Sequence, residues 1–441
     1  MTRRPIIGVG AVAIAVALVA TIALANPFGS TSVPSASSGA SGPVAGSSSG
    51  SGGATGGGTG GSGASGDPGP DDLPTGPAPT HQTRPEPGHE VFGYLPYWEM
   101  FSGIERYVAT VDLTTLALFS VTNTSSGAID RSQLGYKRIN GDVGKTLIRV
   151  AHQNGMKVQL VYTSINASKN AKLFASVPLQ DKVIASLVPF ALSLGVDGIN
   201  VDVERLDISF AQEYGAFVGR LRDALRARQP SARVSIATTS GPKGAAMAKA
   251  ASDAGADRIF IMAYDYHYAA SEPGASAPMD RRDGQDPDLQ WTLDTFDFAG
   301  VPLAKTILGL PLYGMRWRVT NGQIGAPAEG NGAIWLPMQN VGFLQNPPVQ
   351  AMRDDIEIVD VYALPPPAGT KPTPTPKDPT TIVGHSGWQA IYVDSPATLT
   401  PKLQLADQHG LAGAGFFALG YERGLPAYDA LINRFAAGQL D

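Results

Sequence analysis

Residues 197–204, Asp197-Gly198-Ile199-Asn200-Val201-Asp202-Val203-Glu204, alternate apolar and polar side chains with a period of two. That period marks a strand, with Ile199, Val201 and Val203 on one face and Asn200, Asp202 and Glu204 on the other. Polar groups aligned within an apolar segment cost free energy unless the fold or its chemistry uses them. A solvated edge strand gives the same alternation, but its outer face seldom selects carboxylates at this regular spacing behind an Asp-Gly.

Short apolar runs recur along the chain and predict further strands at 90–98, 116–121, 156–161, 233–238, 258–264, 306–313 and 411–419. Between them the apolar spacing turns helical. A helix over 142–154 carries Val143, Leu147, Val150 and Ala151 on one face and stops at Gly155. A second, over 179–194, closes at Gly195 and leads into the 197–204 strand. A third starts at Ser209 with a Ser-x-x-Gln capping box and carries Phe210, Tyr214, Phe217, Leu221 and Leu225 towards Pro230. A fourth lies near 245–254. Eight strands alternating with helices predict an α/β fold, a closed (β/α)8 TIM barrel. The interval between the seventh and eighth strands breaks the rhythm. It predicts a small antiparallel insertion over 318–395, with strands at 355–362 and 387–393 around a Pro/Thr-rich loop at 365–379, then a last helix near 401–409. Such an insertion on the rim either walls a cleft or is decoration.

Composition divides the 441 residues into three parts. Residues 1–25 place Arg3 and Arg4 before an uncharged apolar run from Ile6 to Ala25, followed by Asn26. That reads as a signal peptide or a membrane anchor over residues 6–25, N-in and C-out. Residues 26–89 are Gly, Ser, Ala, Thr and Pro with almost no large apolar side chain, which predicts a disordered tether spanning roughly 45 Å. Residues 90–438 are expected to hold the working barrel, placed outside the cytoplasm by either N-terminal reading. Cysteine is absent, which excludes disulfides and thiolate metal sites, and the six histidines show no metal-ligand spacing. No phosphate-binding loop follows a strand, so no cofactor is expected. A net charge of −5 without a basic block after the N-terminus argues against nucleic acid. A monomer is expected.

The C-terminal strand ends of such a barrel carry its chemistry. Here they bring Tyr94, Tyr97 and Trp98 from the first strand, Asp202 and Glu204 from the fourth, Tyr264 and Asp265 from the sixth, Tyr313, Arg316 and Trp317 from the seventh, and Phe416 and Phe417 from the eighth. Aromatic faces around a few carboxylates suit a sugar, whose CH faces pack on rings while its hydroxyls and amides need hydrogen bonds.

Asp-Gly-x-Asn-x-Asp-x-Glu at 197–204 resembles the Asp-Gly-x-Asp-x-Asp-x-Glu signature of the family 18 glycoside hydrolases, the chitinase family. Gly93-Tyr94-Leu95-Pro96-Tyr97-Trp98, Met262-Ala263-Tyr264-Asp265, Gly309-Leu310-Pro311-Leu312-Tyr313-Gly314 and Gly415-Phe416-Phe417-Ala418-Leu419-Gly420-Tyr421 match the family in order. The resemblance implies retaining hydrolysis of a β-linked N-acetylglucosamine polymer, with the sugar's own acetamido oxygen as nucleophile. It implies Glu204 as acid and base, Asp202 as partner of the acetamido nitrogen, and Tyr264 as partner of the acetamido oxygen. Tyr94, Trp98, Asp197, Asn200, Asp265, Tyr313, Trp317 and Phe417 are the expected substrate-binding set, with Asp197 bracing the base of the strand. Two residues depart from the family. Asn200 replaces an Asp, which is expected to let Asp202 ionise more readily; it resembles the branch of cell-wall and spore-cortex N-acetylglucosaminidases and tilts the substrate towards peptidoglycan rather than chitin. Phe417 replaces the usual Trp and should bind sugar more weakly. A Ser-x-Gly-Gly motif is also missing after the third strand. A non-catalytic glycan-binding barrel is the alternative, against which Glu204 stands, since binding-only members commonly lose that acid.

Overall fold

A computed structural model describes residues 88–369 and 386–440. The expected N-terminal segment, nearly all of the expected tether and the distal half of the Pro/Thr-rich loop lie outside the described residues.

Eight parallel strands close into a barrel: β1 (Glu90–Pro96), β2 (Thr115–Val121), β3 (Lys157–Ser164), β4 (Gly198–Val203), β5 (Arg233–Thr239), β6 (Arg258–Met262), β7 (Thr306–Pro311) and, after an excursion, β13 (Gly413–Phe417). Their order around the barrel is β1-β13-β7-β6-β5-β4-β3-β2. The helices Asp142–Gln153, Val177–Leu194, Ala211–Arg226, Pro242–Asp253, Leu289–Phe298, Pro396–Gln408 and Pro426–Ala436 follow or lie between the strands. The fold is the (β/α)8 barrel that the alternation implies. The helix Val177–Leu194 is capped by Ser176 and ends at Gly195, whose left-handed φ of 72° suits glycine. The capping box expected at Ser209 is not formed. Asp207 accepts from the Ser209 N–H instead, opening a short 3-10 turn, Ile208–Phe210, that runs into the helix.

The barrel's centre is filled by rings. Phe260 packs 5.9 Å from Phe92 and, edge-on, 4.8 Å from Tyr94. Two glycines make room for it: a Cβ would fall 2.4 Å from its ring at Gly309 and 2.6 Å at Gly415. A larger residue at either place would push this ring into the layer that supports the site.

Between β7 and β13 the chain builds a five-stranded antiparallel sheet from β8 (Gly314–Val319), β9 (Ala333–Trp335), β10 (Met352–Asp354), β11 (Val359–Leu364) and β12 (Trp388–Val393), in the order β10-β11-β12-β8-β9. This sheet begins at Gly314, four residues before the expected boundary. The single strand expected over 355–362 is a hairpin instead. Asp354 Oδ1 accepts the Ile356 and Glu357 N–H groups, Ile358 turns at φ 53°, and β11 returns alongside β10. The hairpin lets Glu357 hold the loop after β6. Its carboxylate accepts the Ala275 N–H at 2.7 Å and lies 3.5 Å from His267 Nε2. The same loop carries Asp265 and Ser276. Lys402, on the helix after β12, meets Asp394 at 2.6 Å in full burial and fastens the other side of the sheet to the barrel.

Candidate active site

Strand β4 runs between β3 and β5 with Asp202 level with Thr163 and Ala237. Its polar face points into the barrel. The deepest member, Asn200, is fully buried in a chain of hydrogen bonds: Tyr94 OH donates to its Oδ1 at 3.1 Å, its Nδ2 donates to Ser235 Oγ at 2.7 Å, and Ser235 donates to Gln159 Oε1 at 2.5 Å. Asn is needed there as donor and acceptor together, because a buried group left unpaired costs about 1–3 kcal/mol. Above it, Asp202 and Glu204 open into a narrow pocket with Tyr94, Phe119, Ala237, Met262, Tyr264 and Phe417. Two pleats of a strand set the carboxyl groups about 7 Å apart on one side.

Burial governs their protonation. It pushes Asp202 up to about 7. Burial, reinforced by the negative charges of Asp202 and Asp265, pushes Glu204 well above the usual carboxylate range. Asp265 rises to about 6 through burial, held back by hydrogen bonds from Tyr313 OH at 2.6 Å and from Ser276. Burial also holds the Tyr264 hydroxyl in its protonated form, so it is a donor. With Asn200 beneath it, Asp202 still keeps a proton close to neutrality because of this desolvation. Asp202 Oδ1 is buried without a hydrogen-bond partner among the described residues. It is an acceptor in want of a donor.

The walls are aromatic. Tyr264 stacks on Phe417 at 6.0 Å, Phe119 meets Phe417 edge-on at 5.6 Å, and Tyr94 lies 6.2 Å from Phe417. Trp98 stands half-buried behind Phe119, 5.9 Å away and edge-on, with its indole N–H donated to Tyr421 OH. Tyr313 backs the pocket through Asp265.

Two residues expected in the substrate-binding set lie elsewhere. Asp197 sits at the opposite end of β4. It accepts from Val158 N–H at 2.9 Å, contacts His152 at 2.7 Å and Lys157 at 3.1 Å, and so braces the base of the barrel. Burial works to raise its pKa, but the hydrogen bonds from Val158, His152 and Lys157 hold it below the usual range. Trp317 is buried in the separate core of the small sheet, edge-on to Tyr392 at 5.8 Å. Its place on β8 decides this: Arg316 and Arg318 take the exposed face, so Trp317 takes the inner one.

Sequence reasoning missed Phe119 and Asn170. Phe119 lies in an apolar run with nothing to set it apart. Asn170 is fully buried, takes a hydrogen bond from Ser164 Oγ and donates to the carbonyl oxygens of Ser164 and Glu204. It thereby clamps the end of β4 to the end of β3, the strand after which the Ser-x-Gly-Gly motif is missing.

Comparison with known proteins follows this geometry. The sequence profile of the glycosyl hydrolases family 18 matches residues 90–422. YdhD of Bacillus subtilis (strain 168), by name a sporulation-specific glycosylase, is 33% identical over 150 residues, which are 33% of this chain and 34% of that protein. Chitinase 1 of Aphanocladium album is 29% identical over 299 residues, 62% of this chain and 64% of that one. The chain thus spans about a third of the first relative and less than two thirds of the second. Among solved structures, the Bacillus cereus spore cortex-lytic enzyme SleL superposes with a TM-score of 0.58 at 18% identity, over 78% of this chain and 73% of that one. A class V chitinase mutant from Nicotiana tobaccum, in complex with NAG4, superposes with a TM-score of 0.64 at 17% identity, over 80% of this chain and 99% of that one. At such identities the likeness is one of fold.

Proposed function

Because the chain belongs to family 18 of the glycosyl hydrolases, we propose that it hydrolyses β-1,4-linked N-acetylglucosamine polymers by a substrate-assisted, retaining route. One observation carries the reading: two buried carboxyl groups, both shifted towards protonation, share one aromatic pocket with the Tyr264 hydroxyl. Glu204, raised well above the usual carboxylate range by burial and by the charges of Asp202 and Asp265, keeps its proton as a general acid must. It protonates the glycosidic oxygen while the acetamido carbonyl oxygen attacks the anomeric carbon, forming an oxazolinium ring. Asp202, already ionised, accepts the acetamido N–H through its unpartnered Oδ1 and stabilises the developing positive charge. Tyr264 donates to the acetamido oxygen and orients it. Glu204, now ionised, takes a proton from water as that water opens the ring, which returns the β-anomer.

The two-carboxylate scheme gives a contrasting outcome. Carboxyl groups about 7 Å apart fit an inverting enzyme, which places a water between them. Products that keep the β configuration would therefore speak for the acetamido nucleophile, and inverted products against it.

Peptidoglycan is the favoured polymer, supported by Asn200 and by the names of the sporulation and spore-cortex relatives. Action outside the cytoplasm follows from the same substrate and from the composition of residues 1–89. Trp98, Asp265, Tyr313 and Phe417 shape the sugar site. Mass spectrometry of products from chitin oligomers and from purified peptidoglycan glycan tests the substrate. Release of N-acetylglucosamine-ended fragments from peptidoglycan supports the reading, and no cleavage of either polymer refutes it.

A further inference from the structure

Where β4 runs out lies a second and more open hollow of about 370 Å³, lined by Ala167, Ser168, Ala171, Arg205, Asp207 and Lys243. Arg205 follows Glu204 in the chain, so their Cα atoms are about 3.8 Å apart, and consecutive residues line the two hollows. Arg205 turns the backbone there at φ 55°, which separates its exposed side chain from the inward run of β4. Its guanidinium has no hydrogen bond or ion pair among the described residues. Lys243, half-buried across the hollow, is lowered by burial and only partly compensated by Asp207. Asp207 is itself occupied, since its Oδ1 accepts both the N–H and the hydroxyl of Ser209. Two cations with one engaged carboxylate leave the hollow positive, beside a pocket that is acidic.

An uncharged N-acetylglucosamine polymer gives these cations no partner. A carboxylate carried on a sugar next to the one being cleaved does, and a guanidinium suits it in particular, since its fork matches both oxygens. The geometry points to a subsite in which Arg205 and Lys243 bind the carboxylate of an acidic N-acetylated sugar neighbouring the scissile unit. Substrates whose sugars bear a free lactyl carboxylate meet this requirement. The assignment rests on the glycosidase reading and narrows its substrate class.

The test uses the full chain carrying Glu204→Gln, so that binding is read without turnover or titration of Glu204. Calorimetry compares three probes: neutral chitotetraose, a glycan tetrasaccharide of alternating N-acetylglucosamine and N-acetylmuramic acid, and the methyl ester of the latter. The expected result is at least tenfold tighter binding of the acid than of its ester, lost in Arg205→Gln/Lys243→Gln while chitotetraose affinity stays within twofold. Equal affinity for acid and ester, a preference that survives the double substitution, or no binding of either overturns the subsite. Failure of the wild-type chain to cleave any glycan would instead refute the glycosidase reading, while these affinities still decide the hollow.

Discussion

The Tyr94 hydroxyl donates to Asn200 Oδ1 at 3.1 Å, beneath the two carboxyl groups of β4. This bond uses the acceptor of an amide whose donor is given to Ser235. Asn200→Asp would exchange that donor for a second acceptor and place another buried carboxyl two residues from Asp202. Neighbouring carboxyls resist ionising together. We expect the low-pH limb of kcat/KM to move up by about one pH unit, with a fall in thermal stability. An unchanged limb would show that Asn200 does not act on Asp202.

The pH profile of the wild-type enzyme follows from the same burial. Activity needs Asp202 ionised and Glu204 protonated. With Asp202 at about 7 and Glu204 raised well above its usual range, both limbs of kcat/KM should lie above the pH at which unperturbed carboxyl groups titrate. A maximum at about pH 4–5, where unperturbed carboxyl groups titrate, would contradict the roles given to both residues.

Much of this site was legible in the sequence because a strand's period of two fixes which residues share a face. Asn200, Asp202 and Glu204 needed nothing further, and Tyr94, Tyr264 and Phe417 stand at the predicted strand ends. Trp317 was not legible. It also lies near a barrel strand, but the pairing of β8 with β12 rather than with the barrel turns it into a second core. Asp197 shares the motif with Glu204 yet sits at the other end of the strand, so its place in a motif said little about distance from the pocket. Phe119 and Asn170 act through contacts across the fold, which no local pattern records. The hairpin at Asp354 was hidden because Asp355-Ile356-Glu357-Ile358 alternates as a strand would.

Tyr313→Phe removes the 2.6 Å hydrogen bond to Asp265 and leaves Ser276 at 3.4 Å as the hydroxyl nearest that oxygen. A hydrogen bond to a charged group contributes about 1.5–3 kcal/mol. Asp265 should then hold its proton to higher pH, and kcat/KM should fall by roughly tenfold or more near pH 6, with partial recovery at pH 8. A loss equal at every pH would mean that Tyr313 acts by packing alone.

Stability should fall as pH rises, for a reason away from the pocket. Burial raises Glu422 to about 8 and Asp429 to about 7. Tyr107 donates to Glu422 Oε1, while Glu422 Oε2 and Asp429 Oδ1 lack hydrogen-bond partners among the described residues. Both groups hold protons in the folded state that the unfolded chain releases from about pH 4. The folded state therefore binds more protons between about pH 4 and 8, and linkage makes stability decline across that window. Glu422→Gln keeps the shape without the charge and should flatten the decline, raising Tm by several degrees at pH 8 and little at pH 4. Differential scanning calorimetry across pH checks it, and an equal change at both ends would refute the assignment.

Glu204→Gln addresses the account's central claim, since it keeps the side chain's size and removes its acid. Initial rates on chitotetraose and on peptidoglycan glycan, measured beside oligosaccharide affinity in the same preparation, read the two functions separately. General acid–base catalysis of this kind contributes about 10²–10⁴-fold. The account predicts turnover reduced by at least about a hundredfold with affinity within a few-fold of wild type. Turnover that persists unchanged in the variant would contradict it.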